Sequence, residues 1–117
     1  MLKQQASLQE TRAHFVWDIP TRYNIGVDIC DKHAAATPDR IAIIDVAADG
    51  SVTEHSFGAL RALSNQLAHV LSETAERSDR IAVFLPQCIE TAAAHVAITK
   101  MGCISLPLFT LFGPEAL

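Results

Sequence analysis

Between Arg80 and Pro107 the chain reads apolar run, alanine-rich stretch, glycine, apolar run, and that order leaves few folds open. Ile81, Ala82, Val83, Phe84 and Leu85 are apolar on both faces of a strand, the pattern of a strand covered on both sides in a parallel sheet. Pro86 suits the first turn of a helix, where its missing N–H costs nothing. The alanine-rich stretch from about Cys88 to Met101 then stops at Gly102, which suits the left-handed position just past a helix. Cys103–Leu106 is a further strand, ended by Pro107. Strand, helix and strand in so short a span predict a right-handed βαβ crossover.

The residues upstream predict a hairpin and a second helix. Ile41–Val46 is a short run rich in β-branched residues, and Ser51–His55 follows it across Asp49-Gly50. Asp-Gly between two such runs points to an antiparallel pair closed by a type I′ turn, with positive φ at both central residues. Ser56 stands where an N-cap belongs. Phe57, Leu60, Leu63, Leu67 and Leu71 then form one apolar stripe at helical spacing, and Ser72–Asp79 is a polar exit loop. Nearer the start, Ser7–Val16 has helical character, and Pro20 forces Ile19 to be extended. Ile25, Ile29, His33 and Ala36 recur at helical spacing up to Thr37-Pro38. The expected architecture is α/β: a partial N-terminal subdomain with a β-hairpin and a βαβ unit of parallel strands flanked by helices. Residues 1–38 read as a helical arm, and 39–117 as the α/β subdomain, truncated at its C-terminal end.

Composition excludes several function classes. The 117 residues suit one domain, and 50% hydrophobic content places the chain among globular proteins. With a net charge of −4 and no basic run, it lacks the stripe that nucleic-acid binding requires. No apolar stretch approaches the ~20 residues needed to span a bilayer. Glu10 and Asp18 near the start speak against a secretory or transit leader. Cys30, Cys88 and Cys103 are an odd number with no CxxC pair, so disulfide and zinc frameworks fit poorly. A reducing, cytoplasmic setting is expected.

Several residues invite chemical readings and have simpler ones. Cys88, Glu90 and His95 resemble a nucleophile with bases, but His95 lies seven positions on and no cation adjoins the thiol, so a small buried cysteine is expected. His14, His33, His55 and His69 have no metal-ligand spacing, and His55 is expected on an exposed hairpin. Glu73, Glu76, Arg77 and Asp79 read as a solvated loop. Asp39-Arg40-Ile41-Ala42 recurs as Asp79-Arg80-Ile81-Ala82, and both copies read as the charged lip of a strand. Gly113-Pro114-Glu115-Ala116-Leu117 has the composition of a helix start, which suggests truncation.

Three groups of residues match a known family. They are Trp17-x-x-Pro20-x-x-Tyr23-Asn24-Ile25-Gly26-x-Asp28 with Asp31-x-His33-Ala34; Asp79–Val83 leading to Leu85-Pro86-Gln87 and Glu90; and Lys100-Met101-Gly102 followed by Pro107-Leu108-Phe109-x-x-Phe112-Gly113-Pro114-Glu115-Ala116-Leu117. In that order they resemble the start of AMP-forming acyl-CoA synthetases, especially the acetyl and medium-chain type. The segment Trp17–Asp31 sets the chain apart from the amino-acid adenylation domains of peptide synthetases. One departure bears on turn geometry: the family has glycine before the Asp-Arg pair, where this chain has Ser78.

The resemblance implies a reaction in which a carboxylate attacks the α-phosphate of ATP and CoA then displaces AMP, with Mg²⁺ and a loop of backbone amides neutralising phosphate charge. ATP, Mg and CoA are expected of the parent enzyme and none of this chain alone. The five glycines, Gly26, Gly50, Gly58, Gly102 and Gly113, are too dispersed for a phosphate loop. No catalytic and no metal-binding residue is expected. By family position Phe109, Thr110 and Leu111 match residues lining the CoA approach; the plainer reading makes Phe109 and Phe112 anchors for further chain. The expected function is an inactive scaffold portion of an acid–CoA ligase, and the alternative is a complete small α/β interaction module. The expected partner is the rest of the parent enzyme, with a homodimer through the C-terminal region as a further expectation.

Overall fold

The structure is a computed structural model that describes residues 5–111 and 113. Ser7 Oγ accepts from the Glu10 N–H and starts α1 (Leu8–Ala13), which buries none of its residues. The helical stretch seen in the periodicity of 25–36 has a π-helical middle, Val27–Asp31, continued by α2 (Lys32–Ala36). It buries Cys30 and Ala34. The wider turn is a local departure that apolar spacing does not register.

β1 (Ile41–Val46) and β2 (Val52–Ser56) pair antiparallel, with Asp45 opposite Thr53 and Val46 opposite Val52. The type I′ expectation is corrected here. Gly50 has φ +84°, but Asp49 does not have positive φ. Ala47 N–H donates to Ser51 O and Gly50 N–H to Ala47 O, both at 2.9 Å, which makes 48–50 a three-residue loop with left-handed glycine last. That loop is the next commonest hairpin closure, and it too demands glycine.

Ser56 Oγ accepts from the Ala59 N–H at 3.2 Å and caps α3 (Phe57–Leu71). The leucine stripe of α3 faces α4 (Ile89–Lys100) and the strands around it. β3 (Arg80–Val83) and β4 (Ile104–Pro107) are parallel, Arg80 beside Ile104 and Val83 beside Pro107, with α4 between them in sequence. The strand expected over 80–85 therefore ends at Val83, and Phe84 and Leu85 are substantially exposed. Pro86 precedes α4 instead of entering its first turn, because Cys88 in extended conformation is the N-cap. Only one face of the sheet is well covered: Ile81, Val83 and Cys103 pack on α4, while Ala82, Ile104 and Leu106 point away and are exposed.

α4 is the centre of the molecule. Cys30, Leu60, Ala93 and Val96 form one buried cluster, and Val83, Ala94, Ile98 and Cys103 the other, so α4 packs on two sides. Its small side chains let the arm, α3 and the sheet approach closely; the fully buried Ile98 contributes roughly 1.5–3 kcal/mol. The helix ends in a Schellman motif, with Cys103 N–H on Ile98 O, Gly102 N–H on Thr99 O, and Gly102 at φ +73°.

Candidate functional site

In open α/β sheets ligands bind beyond the carboxyl ends of the strands. Here that end is formed by Phe84–Gln87 after β3 and Leu108–Leu111 after β4, tied by Leu108 N–H on Val83 O at 2.9 Å. A cleft of about 430 Å³ opens beside it, between β1 (Ile43, Ile44, Asp45) and the start of α4 (Gln87, Cys88, Ile89, Thr91, Ala92, His95). The Thr91 hydroxyl donates to Pro86 O and holds the turn into the helix.

Within this cleft Cys88 is half-buried, not the sequestered thiol expected, and its Sγ lies 3.4 Å from Thr91 Oγ1. His95 Nδ1 shares a 2.6 Å hydrogen bond with Ser105 Oγ and so ties α4 to β4. Cys88 and His95 both line the cleft but are engaged by different partners. The Glu90 carboxyl is held below the usual carboxylate range, chiefly by its own backbone N–H and then by the Cys88 thiol. His55, expected on an exposed hairpin, is half-buried at the end of β2. Phe109, Thr110 and Leu111 lie past β4, exposed and outside the cleft lining. Phe112 and the helix start expected at Pro114 lie outside the described residues.

A second constellation was not foreseen from the sequence. Lys100 Nζ sits 2.6 Å from Asp31 Oδ1 and donates to Ser64 Oγ at 2.9 Å and Asn65 Oδ1 at 2.7 Å. Asn24 Nδ2 donates to Lys100 O at 2.8 Å, and Asn24 Oδ1 accepts from the Val27 N–H. The Lys100 side chain is only 9% exposed, so its charge is compensated almost wholly by protein groups. Gly26 fits under it, since a Cβ there would lie 2.6 Å from Lys100 Cγ and 2.7 Å from Val96 O. Burial raises the neighbouring Cys30 thiol's pKa despite the Lys100 charge, so that sulfur stays protonated and inert. This cluster is architectural: it fastens the Tyr23–Asp31 segment to the body.

Among the described residues no group of three or more His, Cys, Asp or Glu is placed to hold a metal ion. Nor do the dispersed glycines form a cradle for phosphate. The described residues thus offer neither a ligand set for Mg²⁺ nor a cradle for an ATP triphosphate. Among the described residues no helix is long and apolar enough to cross a membrane.

The comparison with known families decides what this α/β body is part of. A family model described as AMP-binding enzyme matches residues 30–117. The chain belongs to the AMP-binding enzyme family. Relatives within it include the acetyl-coenzyme A synthetase of Magnetococcus marinus, 29% identical over 111 residues, 91% of this chain and 17% of the relative. The acetyl-coenzyme A synthetase 2 of Saccharomyces cerevisiae is 32% identical over 103 residues, 86% of this chain and 15% of the relative. Among solved structures, the acyl-CoA synthetase of Brucella canis superposes with a TM-score of 0.77 at 28% identity, covering 96% of this chain and 20% of that one. This AMP-binding family member thus spans 17% and 15% of the length of these two curated relatives. Its hairpin and its helix-flanked parallel strands belong to the acyl-CoA synthetase fold.

Proposed function

We propose that the chain is a scaffold portion of an AMP-forming acid–CoA ligase and that it neither adenylates a carboxylic acid nor binds ATP by itself. The observation that carries this reading is one of extent: nearly all of the chain superposes on a fifth of an acyl-CoA synthetase. The glycine-rich phosphate loop of that chemistry has no counterpart in these 117 residues. The whole enzyme would join carboxylate, ATP and CoA to give acyl-CoA, AMP and pyrophosphate, with Mg²⁺ and ATP held by other parts of the fold.

The contribution of this chain is positional. Residues 1–38 act as an arm and 39–117 as the body, fastened to each other through Lys100. In this reading Phe109, Thr110 and Leu111 border the CoA approach of the whole enzyme, supported by their exposure beyond the carboxyl end of β4. The three unpaired thiols suit a reducing, cytoplasmic setting. Calorimetry with ATP and Mg²⁺, and a pyrophosphate-release assay with acetate, ATP and CoA, test the reading. No saturable heat and no pyrophosphate are expected. Micromolar ATP binding would overturn it and favour a self-sufficient module.

A further inference from the structure

Every aspartate and asparagine of the chain but one precedes Ile, Lys, Arg, Val or Gln; Asp49 alone precedes glycine. That dipeptide has a chemistry of its own. The Gly50 nitrogen can bond to Asp49 Cγ, its proton and the carboxyl hydroxyl leaving together as water, to give a cyclic succinimide. Water adding back at Cγ restores aspartate. Addition at the main-chain carbonyl instead leaves isoaspartate, with the chain running through Cβ and Cγ. A side chain after the aspartate crowds the attacking nitrogen, and glycine has none. Both residues are exposed, and among the described residues a Cβ at Gly50 would meet nothing within 4 Å beyond its chain neighbours.

We propose that Asp49–Gly50 is a modification site, at which the main chain migrates onto the Asp49 side chain as isoaspartate, and that the closed hairpin loop keeps it unreacted.

The bonds of the loop carry the second half of the proposal. Gly50 N–H donates to Ala47 O at 2.9 Å, which fixes the peptide plane of the nucleophile. Asp49 Oδ1 accepts from the Ser51 N–H at 2.9 Å, which ties the electrophile to the next amide along and not to its attacker. The Ser51 hydroxyl first, and its N–H second, hold the Asp49 carboxyl below the usual carboxylate range, and an ionised carboxyl has no hydroxyl to lose. Reaction therefore waits on opening of the loop, a local event that needs less free energy than global unfolding. Its product would lengthen the main chain by Cβ inside a three-residue loop whose closure sets Val46 opposite Val52. Ala42 and Ile43 of β1 rest on the buried cluster of Cys30, Leu60, Ala93 and Val96, so a loosened hairpin reaches the core.

The test incubates the chain in mildly acidic buffer, folded and in guanidinium chloride. Chromatography with electron-transfer fragmentation of the tryptic peptide 41–61 then tells isoaspartate from aspartate of equal mass. Isoaspartate is expected at residue 49 in denaturant, and about tenfold or more slowly in the folded chain. Ser51→Pro, which lacks the N–H, should speed the folded reaction and leave the unfolded one unchanged, and Asp49→Glu should give no product in either. Hydrogen exchange of the Gly50 amide serves where Ser51→Pro does not fold: denaturant below the unfolding transition should raise exchange and isoaspartate formation in parallel. Absence of isoaspartate in denaturant, or product that survives Asp49→Glu, would overturn the site. Equal folded and unfolded rates, a folded Ser51→Pro chain as slow as the parent, or isomerisation independent of Gly50 exchange would overturn the role of the loop.

Discussion

Ser78 donates its backbone N–H to the carbonyl of Gly102 at 3.1 Å, and both residues lie in the left-handed region, at φ +76° and +73°. The loop before β3 is thereby joined to the turn before β4, so the two parallel strands leave a common corner. A side chain in this region crowds the following carbonyl at a cost of about 1–2 kcal/mol, and only glycine escapes it. Ser78 is the one described non-glycine residue that meets that cost. Ser78→Gly should therefore stabilise the chain by about 0.5–1 kcal/mol, the relief being offset in part by the freer unfolded glycine. Gly102→Ala should destabilise it by about 1–2 kcal/mol, with its Cβ also 3.3 Å from Arg77 Cγ. Urea midpoints measure both, and a Ser78→Gly chain no more stable than the parent would refute strain at this corner.

How far the fold was legible depended on how local its cause is. The stripe Phe57–Leu71 and the cap at Ser56 are set within a few residues and came out as expected. The hairpin was legible but its turn was not, because the two-residue and three-residue loops both place glycine at Gly50 and differ only in register. Phe84 and Leu85 prolong the apolar run for a reason unrelated to strand pairing, which carried the expected strand past Val83. The Lys100 cluster joins positions 24, 31, 64, 65 and 100, and no spacing rule links residues so far apart. Of the proposed site, only the place of Phe109–Leu111 after a strand was legible; the cleft needed β1 and α4 brought together.

Gly26 is a close-packing glycine, not a conformational one, since its φ of −62° suits any residue. Its missing Cβ matters because two of the atoms that would meet it, Val96 O and Lys100 N, belong to backbone that cannot swing aside. Gly26→Ala should lift the arm from α4 at a cost of about 1–3 kcal/mol. Hydrogen exchange localises the effect: amides of 24–36 should lose protection first, while those of α3 keep theirs. Uniform loss across the chain would show that arm and body do not separate.

The arm also carries a pH-sensitive pair. Tyr23 Oη donates to Asp28 Oδ2 at 2.7 Å, and Lys32 Nζ lies 3.1 Å from the other oxygen. The Asp28 carboxyl is held below its usual range, first by the Tyr23 hydroxyl and then by Lys32, while the same bond raises the Tyr23 phenol. A depressed acid stabilises above its unfolded pKa and ceases to do so as pH falls through the folded value. A raised phenol stabilises below its unfolded pKa and ceases as pH rises through the folded value. The pair thus supports the arm between the ordinary aspartate and tyrosine ranges, about pH 4 to 10, and fails outside them. Both groups face water, so the readout is titration: in Tyr23→Phe the Asp28 carboxyl resonance should titrate at higher pH. An unmoved midpoint would assign the depression to Lys32 instead.

Lys100 and Asp31 are the strongest candidates for coupled loss. Removing one member of a buried pair leaves a charge without compensation, at about 3–5 kcal/mol when burial is complete. Asp31 is 29% exposed, so water relieves part of that, and Lys100→Met should cost about 1–3 kcal/mol. Ser64 is fully buried and also loses the ammonium, while keeping its own bond to Arg61 O. Adding Asp31→Leu to Lys100→Met removes the stranded carboxylate and should recover part of the loss, because two apolar side chains can then meet where two charges did. A double-mutant cycle in urea therefore separates two accounts of this residue. If ion pairing dominates, the double variant is more stable than Lys100→Met alone. If the bonds to Ser64 and Asn65 dominate, the second substitution only adds damage, and Lys100 is then chiefly a tie between α3 and α4 instead of the clasp of the arm.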